Sequence, residues 1–189
     1  IGMLKGHYLH NRNYQGQGMR IAVLDAGFYK ADELPAFDSA FANNQIVAYK
    51  DCVTRDGEVF SDGSHGMQVL STIAAFTPGK LVGTAPKAEY VLVRTEDGDS
   101  EYMVEEYYWI TGAEYADSIG AQVINTSLGY TEYDDNLNNH SYENLDGKTA
   151  PISIASAIAA SKGLLLVTSA GNEGSDPWHH ISAPADAPG

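Results

Sequence analysis

Short apolar runs alternating with segments of helical period predict an α/β fold: three layers, with a mostly parallel sheet covered by helices on both faces. The runs Ile21-Ala22-Val23-Leu24, Tyr90-Val91-Leu92-Val93 and Leu164-Leu165-Leu166-Val167 are apolar without alternation, the pattern of strands buried on both sides. Between such runs lie stretches long enough to be crossover helices, which parallel strands require. The 189 residues suffice for one domain with a sizeable core. There is no internal repeat, linker or second domain in residues 1–189.

The elements follow in chain order. Residues 1–18, with His7, His10, Asn11, Asn13, Gly16 and Gly18, form a turn-rich polar lead across the surface. His7 and His10 have a helical spacing but no third ligand nearby, so a surface pair is expected rather than a metal site. The first strand ends at Asp25 and runs into Ala26-Gly27. A second strand is expected over Gln45–Tyr49, followed by turns at Arg55-Asp56-Gly57 and Ser61-Asp62-Gly63. Ser64 can cap a helix from His65 to Phe76, in which Val69, Leu70, Ile73 and Ala74 recur on one face and which Pro78-Gly79 closes. Lys80–Pro86 reads as a loop before the strand Tyr90–Arg94.

Ser100–Ile119 reads as a helix with Val104, Tyr108, Tyr115 and Ile119 near one face, and Gly120 ends it. The strand Gln122–Asn125 opens into Thr126-Ser127-Leu128-Gly129. Tyr130–Thr149 is acidic and aperiodic, and a connection of that length is usually functional or mobile. Ile152–Lys162 is a helix of small residues stopped by Gly163, and the last strand ends in Ser169-Ala170-Gly171-Asn172-Glu173-Gly174.

Formal net charge is −14, and Thr95–Asp146 holds 13 acids without a Lys or Arg. That field repels nucleic acid and anionic membrane surfaces, so neither is an expected partner. No apolar run approaches the roughly 18 residues of a membrane span, and the N-terminal residues lack the pattern of a signal peptide. Cys52 is the sole cysteine, which excludes an internal disulfide; with no neighbouring His it reads as structural.

The strand ends at Asp25, Arg94, Asn125–Gly129 and Ser169–Gly174 share the carboxyl edge of the sheet, where open α/β sheets carry their sites. His65, at a helix start after a glycine turn, can face the same edge. An Asp beside a His suits an orienting carboxylate and a general base, an arrangement that calls for a nucleophile.

At this point a resemblance enters. Ile21-Ala22-Val23-Leu24-Asp25-Ala26-Gly27 resembles the aspartate motif of the subtilisin-like serine peptidases, the subtilases. Asp62-Gly63-Ser64-His65-Gly66-Met67-Gln68-Val69 resembles their histidine motif, and Ser169-Ala170-Gly171-Asn172-Glu173-Gly174 the segment with their oxyanion asparagine. The resemblance spans about Gly16 to Pro188 and implies a subtilisin-like fold. It also implies that Asp25 orients His65, that His65 is general base and then general acid, and that Asn172 donates to the oxyanion. Ser127, Leu128 and Gly129 would form the edge along which a peptide substrate lies, and Ala170 and Gly171 the opposite wall of the primary specificity pocket.

Met67 and Ala26 stand where the family more often has Thr or Ser. No Gly-Thr-Ser followed by a small residue and Pro occurs, and the chain reaches Ala187-Pro188-Gly189 before that motif is expected. Ser64, Ser127 and Ser169 have other positions in the motifs and are not candidates for the nucleophile. The expectation is therefore a partial catalytic domain, incomplete at its C-terminus and inactive alone, whose partners are a peptide or protein substrate and the C-terminal remainder of its own domain. A pseudopeptidase or peptide-binding domain is the alternative. A phosphate-binding doubly wound domain ranks last, because Asp25 would repel phosphate.

No cofactor is expected. Subtilases often bind structural calcium, but Asp134-Asp135 is too sparse a carboxylate pattern to assign a site, and His140 and His179-His180 read as loop residues rather than ligands. The resemblance implies a secreted or cell-envelope location.

Overall fold

The structure is a computed structural model that describes residues 1–188. In chain order it contains α1 (His7–His10), β1 (Arg20–Asp25), α2 (Asp38–Ala42), β2 (Ile46–Asp51), α3 (His65–Ala74), β3 (Phe76–Thr77) and β4 (Leu81–Val82). These are followed by β5 (Glu89–Arg94), α4 (Val104–Ser118), β6 (Val123–Thr126), α5 (Pro151–Ser161) and β7 (Leu165–Thr168). Five strands form one parallel sheet in the order β2-β5-β1-β6-β7. The first strand is thus central, with Asp25 opposite Arg94 on β5 and Leu24 opposite Thr126 on β6.

Side-chain alternation divides the core into two layers. Ala22, Leu24, Val91, Val93 and Ile124 pack under Trp109, Ala113 and Ala116 of α4 and Ile152 and Ala159 of α5. Val23, Tyr90 and Leu92 face the other way, against Phe28, Phe37 and Leu70 and Ala74 of α3. For β1 and β5 this is what the runs of Val, Leu and Ile predict; β7 departs from it, because it is the edge strand of the sheet and leaves Leu165 and Val167 exposed on one face. No helix among the described residues is long and apolar enough to cross a membrane.

Several elements differ from expectation. The helix from His65 stops at Ala74, and Phe76-Thr77 pairs antiparallel with Leu81-Val82 where helix end and loop were expected. Ser64 makes no side-chain cap bond to α3. The helix expected from Ser100 starts at Val104, because residues before it are folded back: the backbone N–H groups of Asp97 and Tyr102 donate to the Glu105 carboxylate at 3.1 and 2.8 Å.

The inner face of α4 differs too. Val104 is exposed, whereas Glu105, Glu106, Trp109, Gly112, Ala113 and Ala116 are buried. Apolar periodicity misplaced this face because two glutamates are used internally as hydrogen-bond acceptors. Glu106 is fully buried and collects three donors: the Tyr133 hydroxyl, Nε2–H of His140 at 2.8 Å and the Ile152 amide at 2.9 Å. The acidic connection 130–149 is therefore anchored to α4 and to the first turn of α5, with Tyr130, Tyr133 and His140 buried.

A second tie lies nearby. The Asp134 amide donates to the Glu101 carbonyl at 2.9 Å, and the Glu101 amide to the Asp134 carboxylate at 3.2 Å. Burial, with the charges of Glu105 and Asp134, pushes the Glu101 carboxyl up to about 7. Its folded value exceeds its unfolded one, so the folded state holds the proton longer and stability falls as pH rises from the ordinary carboxylate range through about 7. Glu101→Gln removes that penalty: urea unfolding should show a gain for the variant at pH 8 and none at pH 4, and an equal effect at both would refute this reading. Glu106→Ala should cost about 3 kcal/mol in the same measurement, since buried donors lose their acceptor; an unchanged midpoint and slope would contradict the anchoring role.

Candidate active site

Asp25 ends the central strand and is fully buried. Its Oδ1 accepts hydrogen bonds from the Ala26 amide at 2.8 Å and from Nδ1 of His65 at 2.8 Å. The pairing depends on two turns crossing in contact. Gly63 has φ +58, and a Cβ there would overlap the Ala26 carbonyl. Gly66 is a further close approach: a Cβ on it would lie 2.5 Å from the Gly27 carbonyl oxygen and 2.8 Å from Asp25 Cβ. Small residues on both sides of His65 thus let the start of α3 lie against the end of β1.

Arg94 secures the same turn from below. Its guanidinium is almost buried and lies 3.1 Å from Asp62 and 3.7 Å from Asp51. A buried cation with two carboxylate partners is far less costly than an unpaired one, and here it holds the residue just before Gly63. Arg94 is the residue opposite Asp25 in the sheet register, so one strand pair supplies both the carboxylate and the clamp.

Burial pushes the Asp25 carboxyl above its ordinary value, while the His65 and Ala26 hydrogen bonds pull it back. Oδ2 of Asp25 is buried without a partner, and Ala26 has no hydroxyl to reach it. The His65 side chain is 56% exposed against 0% for Asp25. A buried carboxylate bonded to Nδ1 fixes the ring tautomer with the proton on that nitrogen, and leaves Nε2 free to take a proton from a reactant. Among the described residues, the recorded side-chain hydrogen bond of His65 is the one to Asp25.

The ends of β6 and β7 form the neighbouring structure. Asn125 donates its amide to Ser127 Oγ at 3.1 Å, and Ser169 donates its hydroxyl to the Leu128 carbonyl at 2.9 Å. Tyr130 and Ala183 exchange backbone hydrogen bonds of 2.9 and 3.1 Å, so Ser127, Leu128 and Gly129 lie beside Ala170 and Gly171. Among the described residues, the amides of Leu128 and Gly129 have no backbone acceptor. Asn172 starts the short turn Glu173–Ser175, is exposed, and uses its backbone amide on the Glu173 carboxylate at 2.8 Å. No hydrogen bond joins the Asn172 side chain to Asp25 or His65 among the described residues.

Three contributors were not marked as site residues in the sequence. Arg94 carries a local signal in being a cation that ends an apolar strand, although its partners are distant in sequence. Tyr130 is buried and donates to Glu96, which burial raises well above the ordinary carboxylate range. Ser182 sits buried between Gly129 and Gly171, in a segment that reads as an ordinary turn. Among the described residues, no group of three or more His, Cys, Asp or Glu could hold a metal ion. His7 is exposed, His10 bonds the Thr84 carbonyl at 2.9 Å, and His180 stacks on Tyr142. Cys52 is buried, which pushes its thiol above the ordinary value.

Comparison with known proteins supplies relatives. A family profile described as "Subtilase family" matches residues 16–189. The chain is 29% identical over 180 residues to subtilisin E of Bacillus subtilis (strain 168), a match covering 93% of this chain and 40% of that protein. It is 29% identical over 198 residues to C5a peptidase of Streptococcus pyogenes, covering 88% of this chain and 16% of that one. The crystal structure of fervidolysin from Fervidobacterium pennivorans, described as a keratinolytic enzyme related to subtilisin, superposes with a TM-score of 0.62 at 27% identity, over 90% of this chain and 23% of that chain. The chain therefore spans about two-fifths of the length of subtilisin E.

Gly66→Ala should force His65 off Asp25, because the obstructing atoms are backbone and strand-end atoms that cannot swing aside. Proton NMR should show loss of the downfield imidazole Nδ1–H signal that a bond to buried Asp25 produces. An unchanged signal in the variant would refute the role given to Gly66.

Proposed function

The chain belongs to the subtilase family, and from that premise we propose that it forms the aspartate- and histidine-bearing part of a serine endopeptidase whose nucleophile lies outside these residues. The observation that carries the proposal is the 2.8 Å bond between buried Asp25 and exposed His65 at the carboxyl edge of a parallel sheet. That edge is flanked by a strand end whose Leu128 and Gly129 amides remain free for an added peptide strand.

In the proposed reaction a serine hydroxyl attacks the carbonyl carbon of the scissile peptide bond as Nε2 of His65 accepts its proton. Asp25 stabilises the resulting imidazolium and stays ionised. The oxyanion of the tetrahedral intermediate takes the Asn172 side-chain amide as donor; the exposed turn leaves that side chain free to reach a bound substrate. Collapse expels the amine, which receives the proton from His65. Water then attacks the acyl-enzyme carbonyl as His65 takes its proton; the bond to the serine oxygen breaks, that oxygen recovers the proton from His65, and the carboxylic acid product leaves. The scheme uses no cofactor and assigns no calcium site.

A partner is also proposed: the C-terminal remainder of the same catalytic domain, docking where β7 leaves its outer edge uncovered. Leu165 is 61% and Val167 49% exposed there, and an unpaired strand of that kind is an open template for pairing. Apart from it, the 189 residues are expected to be inactive. A secreted or cell-envelope location accompanies the family reading.

Peptide hydrolysis by the full-length protein tests the scheme. Asn172→Ala should lower kcat with little change in KM, by an amount corresponding to about 2.7–4 kcal/mol, the cost of removing one such donor. Asp25→Asn should lower it on the order of 10⁴-fold, because the ring is then held in the wrong tautomer. Wild-type rates in either variant would defeat the corresponding assignment.

A further inference from the structure

Strands β2, β5 and β1 are neighbours in the sheet, and the residues just ahead of them meet at its amino edge. There Gln45, ahead of β2, Lys87, ahead of β5, and Gln17, ahead of β1, line a cavity of about 420 Å³ together with Ser39, Asn43 and Phe76. Pockets that hold small organic ligands have volumes of about 300–1,000 Å³. Asp25 lies at the far end of β1, roughly 16 Å along the strand, so the cavity is separate from the Asp25–His65 edge.

Gln45 is the most confined residue of its polar lining. It is 9% exposed, and its backbone is paired, the amide donating to the Ala40 carbonyl at 2.8 Å and the carbonyl accepting from Tyr90 at 2.6 Å. Its side-chain nitrogen donates to the carbonyls of Pro86 and Ala88 at 3.0 and 2.7 Å. Two carbonyl partners fix which end of the amide is nitrogen. Oε1 is the end left to face the cavity, and among the described residues it has no partner. An acceptor so nearly buried is costly to leave unpaired, which favours a donor arriving from the cavity.

The neighbouring side chains are oriented by their own contacts. Gln17 Oε1 accepts from the Gln15 amide at 2.9 Å, which leaves the Gln17 side-chain nitrogen to donate. Asn43 donates to Ser39 Oγ at 3.3 Å, which leaves Asn43 Oδ1 as an acceptor and the Ser39 hydroxyl as a donor. Lys87 adds an ammonium group with no ion-pair partner among the described residues. No Asp or Glu lines the cavity, although the chain has 25 acids. Phe76, 38% exposed, supplies an apolar wall.

Free donors and acceptors therefore surround a cavity with one cation, no carboxylate and one aromatic face. A matching ligand donates and accepts through several groups of its own and presents an apolar face. A hydroxyl does both at once, and a pyranose carries several hydroxyls around a face of C–H groups. A peptide main chain also donates and accepts, but it is held by backbone groups of a strand edge, whereas the partners here are side chains. We infer that this cavity binds an uncharged saccharide unit, with Gln45 and Asn43 accepting from its hydroxyls, Gln17 and Lys87 donating to them, and Phe76 covering one face of the ring. Such a site would hold the protein on glycan-bearing material while the Asp25–His65 edge stays open. The inference stands apart from the peptidase reading.

The test is calorimetric titration of the full-length protein with maltose, cellobiose and N,N′-diacetylchitobiose, and with acetyl-tetraalanine amide as a peptide probe. Asn43→Ala, Phe76→Ala and Gln45→Leu are titrated alongside, each matched to wild type by thermal unfolding; Asn43, an exposed residue, keeps the test available should Gln45→Leu fail to fold. At least one disaccharide should bind, and each folded variant should weaken it about tenfold or more. Peptide hydrolysis by Asn43→Ala should stay at the wild-type rate. Binding of none of the three disaccharides overturns the inference, as does disaccharide binding that Asn43→Ala and Phe76→Ala leave unchanged. Binding of the peptide probe alone, weakened by the same variants, assigns the cavity to peptide and also overturns it.

Discussion

The contact on which this structure depends is the crossing of two turns, Ala26-Gly27 after the central strand and Asp62-Gly63 before α3. Neither turn can take a side chain at the crossing, and Gly66 adds a third point of close approach. The result is a histidine delivered to a carboxylate that the sheet has already buried. The order of cause matters. Buried Asp25 would be an unfavourable charge without its hydrogen bonds, and His65 would be a mobile surface ring without Asp25. Arg94 completes the arrangement by holding Asp62, so the strand beside β1 also fixes the approach of the helix.

The second organising feature is the use of glutamates inside the protein. A net charge of −14 suggests a repelling surface, yet Glu96, Glu105 and Glu106 are buried and carry hydrogen bonds. Glu105 folds residues 97–102 back on α4, Glu106 gathers Tyr133, His140 and Ile152, and Glu96 accepts from Tyr130 and Thr95. Together they hold the two segments that flank the Ser127–Gly129 edge. The long acidic connection is rigid at its base for this reason, which fits a surface that must present main-chain groups at fixed positions.

Much of the fold was legible because its determinants are local and repeated. Short runs of Val, Leu and Ile without alternation, bounded by turn residues, mark the strands, although they do not show that β7 lies at the sheet edge with one face exposed; Asp25, His65 and Asn172 lie in short runs of distinctive order. The parts that were not legible depend on contacts between distant residues. Hydropathy places Glu105 and Glu106 outside, because nothing in the sequence near them announces donors that lie in other segments. The small β3–β4 hairpin was hidden by Phe76, whose apolar side chain extends the helical pattern two residues too far. The burial of Ser182 was hidden for the opposite reason: Ile181-Ser182-Ala183-Pro184 is unremarkable as a string, and the close approach of Gly129 and Gly171 comes from distant segments.

The central claim is that Asp25 and His65 form the base that activates a serine carried by another part of the same protein. It is tested most directly by treating the full-length protein with a fluorophosphonate probe and mapping the modified residue by mass spectrometry, with and without His65→Ala. The account predicts one labelled serine, C-terminal to Gly189, whose modification is lost in the variant. Labelling of Ser64, Ser127 or Ser169, or labelling that persists at the wild-type rate without His65, would contradict it.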